Sequence, residues 1–305
     1  GGRDGAEREQ ATDSDQADDD GPVKVVRVGA LNVDSIKAHQ RELAALVAAA
    51  AASGATIDVL LLSETKARAH VEVDVIAGGL GMYVAARLDR PPGRGEKGGG
   101  VAVLVRTGLV AAEMPCREAR GPGGRLETEI CAARLPAFGL EVDAVYRPPT
   151  GPTSATARAL GALSARAVAA TARGDAWIGG GDLNLADAGA AQVGSRWERR
   201  AAPPRPTELD ELVESEAATV LSGSLVDCGE PGGHLTHVKR WWCRAAAEWR
   251  YTAAELDFIV GNAAAADAAT TVTTERGPSW TGHHVPIVGG FEFESERGGR
   301  GSGGK

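Results

Sequence analysis

The sequence has few aromatic residues, little methionine and no paired cysteines. Phe, Trp and Tyr make up 4% of its 305 residues, and Met occurs twice. Alanine and glycine are abundant instead. This is a bias of composition before it is a sign of function, and it makes an Ala-rich stretch weak evidence for a helix. The four cysteines, Cys116, Cys131, Cys228 and Cys243, form no CxxC pair, and their spacing fits no zinc pattern. The expectation is four reduced thiols. No apolar run reaches the ~20 residues of a membrane-spanning helix, and the acidic start lacks the regions of a signal peptide. Together these absences point to an intracellular, nuclear location and to no membrane partner. A net basic charge is also missing. The chain carries −8, which alone would argue against a nucleic-acid partner. The charge is uneven, however. The first 20 residues hold eight acids and two bases, hence −6, which leaves −2 for residues 21–305. The body is nearly neutral and has room for local basic patches.

What is present is ordinary globular composition, 43% hydrophobic and 24% charged, enough for a sizeable core. Residues 1–21 read as a disordered acidic tail and 297–305 as a Gly/Ser-rich tail or linker. Residues 22–296 read as one domain, and both ends look like edges of a longer protein. Inside the domain, β-branched runs predict strands at 23–30, 58–62, 82–86, 101–105, 128–134, 140–146, 176–178, 256–260 and 286–289. Helices are predicted over 36–52 and 155–172. Several strands are joined by hairpins, which rules out a purely parallel sheet. The pattern predicts an α/β (α+β) fold: a four-layer sandwich with two mixed β-sheets face to face and helices outside.

Polar signatures gather at strand ends. They are Asn32 and Asp34 in LNVD, Glu64 in LLSETK, Tyr146 in VYRPP, Asp182 and Asn184 in GGGDLN, Asp257 in ELDFIV, and His283 and His284 in GHHVPI. Singly, each is more often a turn former or a cap. Together they supply what phosphodiester hydrolysis needs. A hard cation such as Mg²⁺ takes carboxylates and keeps its waters, and Glu64 and Asp34 offer two. Asp182 suits a water-orienting base, with Asn32 and Asn184 to fix it and to donate to phosphate. A histidine paired with a carboxylate, His284 with Asp257, stabilises charge developing on phosphorus oxygens.

In this order the motifs resemble the endonuclease/exonuclease/phosphatase superfamily. LNVD, SETK and GGDLN are similar to its apurinic/apyrimidinic endonuclease branch. GGGVAVLVR at 98–106 and VYRPP are similar to the endonuclease domains of non-LTR retrotransposons. The resemblance spans residues 24–290. It implies a four-layer sandwich with its site at one end of the sheets and Asn32, Asp34 and Glu64 at metal and phosphate. It also implies Tyr146 on the scissile phosphate, Asp182 and Asn184 aligning water and leaving group, and Asp257 orienting His284. One departure stands out. Where the family usually reads Ser-Asp-His, this chain reads Gly282-His283-His284. His283 is a softer metal ligand than Asp, which points to weaker Mg²⁺ binding, to Mn²⁺, or to a crippled enzyme.

A second signal is VKRWWCRAAAEWRY at 238–251, which holds half of the six tryptophans. Trp packing on the core is one reading. The other is a DNA-contacting hairpin built on Lys239, Arg240, Trp241, Trp242 and Arg244. Thr236 and Arg147 are candidate phosphate contacts, and Glu127 reads as a structural carboxylate. The leading expectation is a divalent-metal-dependent DNA endonuclease, Mg²⁺ or Mn²⁺ loaded. It would nick one strand and belong to a longer retroelement protein. Two alternatives stay open: a phosphatase or lipid phosphodiesterase of the same fold, and a catalytically weakened DNA-binding module.

Overall fold

A computed structural model of the chain describes residues 23–68, 73–89, 98–120, 126–149, 153–184, 189–193, 196–199, 219–220, 237–243, 248–254, 257–274, 284 and 286–294. The first sheet runs Ala269–Thr274 (β15), Ile287–Glu294 (β16), Val23–Asn32 (β1), Val59–Ser63 (β2), Val101–Arg106 (β4) and Met82–Leu88 (β3). The second runs Thr219–Val220 (β11), Asp257–Gly261 (β14), Ala176–Asp182 (β8), Leu140–Tyr146 (β7), Leu126–Leu135 (β6) and Ala112–Arg120 (β5). Each contains one parallel pair, β1 with β2 and β7 with β8. A parallel pair needs a crossover, and helices supply it: Gln40–Ala52 (α1) and Thr153–Ala172 (α3). Two short helices, Val73–Gly79 (α2) and Ala263–Ala268 (α4), are also described.

Side-chain alternation along the strands creates the layers. In β2, Val59 and Leu61 face the second sheet, while Leu60 and Leu62 join Leu43 and Leu46 of α1. In β4, Val101, Val103 and Val105 face inward, and Ala102 and Leu104 face the helices. On the second sheet, Val142, Ala144, Ala176 and Ile178 meet this inner core, while Val145, Trp177 and Phe258 pack against Leu160 and Leu163 of α3. The result is helix, sheet, sheet, helix, as the sequence predicts. The sheets approach so closely that a Cβ on Gly180 would lie 2.9 Å from Leu61 Cδ1 and 3.0 Å from the Ala30 Cβ.

A third sheet was not foreseen as such. It has four antiparallel strands in the order Arg196–Arg199 (β10), Gly189–Val193 (β9), Glu248–Ala254 (β13) and His237–Cys243 (β12). The expected hairpin is its β12–β13 pair. Two further readings need correction. The first helix begins at Gln40 rather than at 36. The chain at 35–36 is instead tied to another loop, through Ser35 N to Glu64 O and Ile36 N to Thr65 O. Strand β5 was missed because its faces are largely solvated. It is an edge strand carrying Pro115 at a register shift, where proline is tolerated. Cys116 and Cys131 carry free thiols in this structure.

Beneath α3 lies a buried ion pair. Arg166 Nη2 donates to Asp143 Oδ1 at 2.8 Å, and Trp177 Nε1 donates to Asp143 Oδ2 at 2.9 Å. Burial pushes the Asp143 carboxyl above its usual range although Arg166 pulls it down. Glu127, also on this side, is held by two nitrogens of Arg158, which agrees with its reading as a structural carboxylate. Removing one partner of a buried pair typically costs about 3–5 kcal/mol. Arg166→Ala is therefore expected to lower the unfolding free energy by about 3 kcal/mol in a urea titration. A midpoint equal to wild type would show that the pair contributes nothing.

Candidate active site

The inward-facing rows of three strands run out of the apolar core into polar residues at one end. Val26, Val28 and Ala30 are followed by Asn32; Val142 and Ala144 by Tyr146; Ile178 and Gly180 by Asp182. The register aligns these ends, since Tyr146 pairs with Asp182 and Asp182 with Asp257. Alternation and register thus bring residues more than a hundred positions apart to one place.

Asn32 is the junction. Its Nδ2 donates to Asp182 Oδ2 at 2.8 Å and to Glu64 Oε1 at 3.3 Å, and its Oδ1 accepts from Asp34 N at 3.1 Å. Asn32 is 2% exposed and Asp182 1%. The second Asp182 oxygen accepts from Asn184 N at 2.8 Å. Both oxygens are thereby oriented by amides, one from the end of β1 and one from the turn after β8. Tyr146 is buried, and its phenol lies beside Glu64, both meeting the space over Gly98. Burial, and then the charges of Glu64 and Asp182, hold the phenol proton far above its ordinary value of 10.0. Tyr146 is a neutral donor in this site.

The loops that carry these groups are strained. Among the described residues, the non-glycine positions of positive φ are Asp34, Ser35, Glu64, Lys66 and Asn184, and all five lie here. Each such position costs on the order of 1–3 kcal/mol and persists only where its surroundings enforce it. The enforcement is visible. Val33 N donates to Ser63 O at 3.0 Å and Ser35 N to Glu64 O at 2.9 Å, while Thr65 N and Lys66 N donate to Gly100 O and Gly99 O, each at 3.0 Å. A Cβ on Gly98 would come 2.5 Å from Tyr146 Oη, so a larger residue there would displace the phenol.

Two participants were missed by sequence reasoning. Glu129, fully buried, accepts from Gly100 N at 2.6 Å and sits opposite Tyr146 in the β6–β7 register. It fastens the glycine loop to the second sheet. An acid inside LETEICAARL, an otherwise buried strand, was the available signal. Lys66 bonds Asp34 Oδ1, and its ammonium lies 3.5 Å from Glu64 Oε2. The signal was the SETK motif itself, in which only the acid was weighed.

Arg147 needs correction. Expected on phosphate, it is buried, and its guanidinium donates to the backbone oxygens of Leu183 at 2.6 Å, Asn184 at 2.8 Å and Pro148 at 3.3 Å. Asn184 Nδ2 returns a bond to Arg147 O at 2.8 Å. Arg147 therefore shapes the Asp182–Asn184 turn. His284 is buried and lies just ahead of β16, whose Ile287 pairs with Ala30 of β1. For Asp257 the strand register is described and the side chain is not. His283, Thr236 and Arg244 lie outside the described residues. Lys239, Arg240, Trp241 and Trp242 are placed by register alone, opposite Thr252, Tyr251, Arg250 and Trp249.

The donor chemistry fits a hard divalent cation. Asp34 and Glu64 offer carboxylate oxygens that already share one positive group. Magnesium typically takes one or two carboxylates and keeps several waters. Among the described residues, no three of His, Cys, Asp and Glu converge as a closed cage, which such an open site does not require.

Comparison with known proteins agrees with this fold. The family model described as Endonuclease/Exonuclease/phosphatase family matches residues 29–279. A 3′-5′ exonuclease from Neisseria meningitidis superposes with a TM-score of 0.61 at 17% identity, covering 87% of this chain and 99% of that one. An AP endonuclease from Archaeoglobus fulgidus gives 0.56 at 14% identity, with 87% and 99% covered. The endonuclease domain of TRAS1, a telomere-specific non-LTR retrotransposon, gives 0.53 at 15% identity, with 87% and 98% covered. At these identities the likeness is one of fold. A search of curated protein sequences gives no match.

The raised Tyr146 value has a consequence for stability. For a proton held more tightly in the folded state, the stabilisation is complete below the ordinary phenol value and is lost as pH rises above it. Wild type should therefore lose more stability between pH 9 and pH 11 than Tyr146→Phe, by melting temperature. Equal losses would mean that Tyr146 titrates like a free phenol.

Proposed function

The chain belongs to the endonuclease/exonuclease/phosphatase family, and on that premise we propose that it is a divalent-metal-dependent phosphodiesterase, a DNA endonuclease that nicks one strand. The observation that carries the reading is the Asn32 amide, which holds Asp182 and Glu64 within one hydrogen-bonded group at the sheet ends. A base and a cation ligand fixed side by side are what in-line attack on phosphorus requires.

The chain's own groups divide the work. Asp182, with both oxygens oriented, aligns a water and receives its proton. Tyr146 donates from its neutral phenol to a phosphate oxygen. His284, oriented by Asp257 in the family pattern, donates to charge developing opposite the attack. Asn184 and Arg147 keep the Asp182 turn in shape. A divalent cation on Asp34 and Glu64 would neutralise charge on the phosphate oxygens. His283 next to His284 favours Mn²⁺ over Mg²⁺ in this reading.

DNA as substrate is supported by the β12–β13 hairpin. Its register sets Arg240 opposite Tyr251 and Trp242 opposite Trp249, a basic and aromatic ribbon suited to phosphates and bases. The fold shared with an AP endonuclease and with the TRAS1 domain supports the same substrate, and the latter supports a place within a retroelement protein. Likeness to a 3′-5′ exonuclease favours a second reading, action at a DNA 3′ end. A covalently closed circle has no end and separates the two.

Supercoiled plasmid incubated with protein in Mg²⁺ or Mn²⁺ should become open circles, and EDTA should stop the conversion. Asp182→Asn should reduce the rate by about three orders of magnitude, since it removes the proton acceptor. Degradation of linear DNA with the circle left intact would move the assignment to the 3′ end. Undiminished nicking by Asp182→Asn would remove Asp182 from its role.

A further inference from the structure

We propose that Lys66 is a built-in occupant of the cation site, holding Asp34 and Glu64 together until a divalent ion displaces it and so setting the affinity for that ion. The inference rests on the reading of Asp34 and Glu64 as cation ligands. Three observations lead to it. Lys66 pairs with Asp34, and its ammonium lies 3.5 Å from Glu64 Oε2, so one positive group is shared by both carboxylates. All three residues are held at positive φ, at 45°, 49° and 50°. The backbone bonds from Ser35 to Glu64 and from Lys66 to Gly99 fix their loops against each other. The two acids cannot drift apart when their shared cation leaves, so the site keeps its shape and its need for positive charge.

Occupancy by Lys66 and by a metal ion is mutually exclusive in charge. A divalent ion uses the same oxygens and repels the ammonium. The pair is only partly shielded from water, with side-chain exposures of 28% for Lys66, 43% for Asp34 and 17% for Glu64. Exposed ion pairs are weak, so a divalent ion, with twice the charge, prevails and loses only a few-fold in affinity. Lysine suits this task better than arginine, because its compact charge on a flexible four-carbon stem withdraws easily. The displaced ammonium carries three donors and no acceptor, which is chemistry for a phosphate oxygen beside the site.

Mn²⁺ binding to the full chain, followed by titration calorimetry, tests this with wild type, Lys66→Met, Lys66→Arg and Glu64→Gln. Glu64→Gln defines which binding component belongs to the site, since acids elsewhere also attract cations. For that component, Lys66→Met should bind about three- to tenfold more tightly than wild type, while Lys66→Arg, which keeps the charge and withdraws less easily, should bind no more tightly than wild type. In EDTA, Lys66→Met should melt below wild type, because two like charges lose their counterion. Saturating Mg²⁺ should then raise its melting temperature more than that of wild type. Equal or weaker Mn²⁺ binding by Lys66→Met, beside clear wild-type binding, would overturn the role of Lys66 and leave the cation site standing. Absence of a Glu64-dependent component in every variant would overturn both.

Discussion

The side-chain amide of Asn32 is the contact on which the arrangement of this molecule turns. It lies where the first sheet ends, donates to Asp182 at the end of the second sheet and to Glu64 in the loop after β2, and accepts from the backbone of the loop it precedes. An amide suits this place because it offers two donor hydrogens and an acceptor without carrying charge. An aspartate there would add a further negative charge, and a leucine would leave Asp182 and Glu64 to repel each other in a buried space. The tight apolar packing of the sheets below sets the spacing that one amide can bridge.

Charge is the cost of that arrangement. Asp34, Glu64, Glu129 and Asp182 lie at one end of the sandwich, two of them fully withdrawn from water. Buried like charges are tolerated only with compensating donors and cations. The chain supplies donors from Asn32, Tyr146, Asn184 N and Gly100 N, and one cation from Lys66. Backbone strain follows the same logic. Left-handed residues cluster where two loops are tied together to aim acids at one point. In the proposed function, a site so arranged is prepared for positive charge and for phosphate before either arrives.

Much of this was legible in the sequence. The β-branched runs gave most strands of the two large sheets, because each strand is half or fully buried and therefore patterned. Asn32, Asp34, Glu64, Tyr146, Asp182 and Asn184 were found because polar residues that abruptly end apolar strands are conspicuous. What escaped depended on partners distant in sequence. Whether Arg147 faces solvent or its own backbone is decided by where the turn at 182–184 passes, and no local pattern reports that. Glu129 escaped because nothing local to its strand reports that the glycine loop lies on it. The first helix began late because Ser35 and Ile36 are drawn into pairing with Glu64 and Thr65, 29 residues away. Strand β5 was hidden because it is an edge with little apolar burial.

The central claim is that Asn32 and Asp182 act as one unit in cleaving phosphodiesters. A double-mutant cycle on plasmid nicking tests it most directly, with Asn32→Ala, Asp182→Asn and the combined variant compared in the same metal buffer. If Asn32 works by orienting Asp182, the double variant should be about as slow as Asp182→Asn alone, because the second change removes a contact that no longer serves a base. Losses that multiply would contradict the account, and would show that the two residues contribute independently.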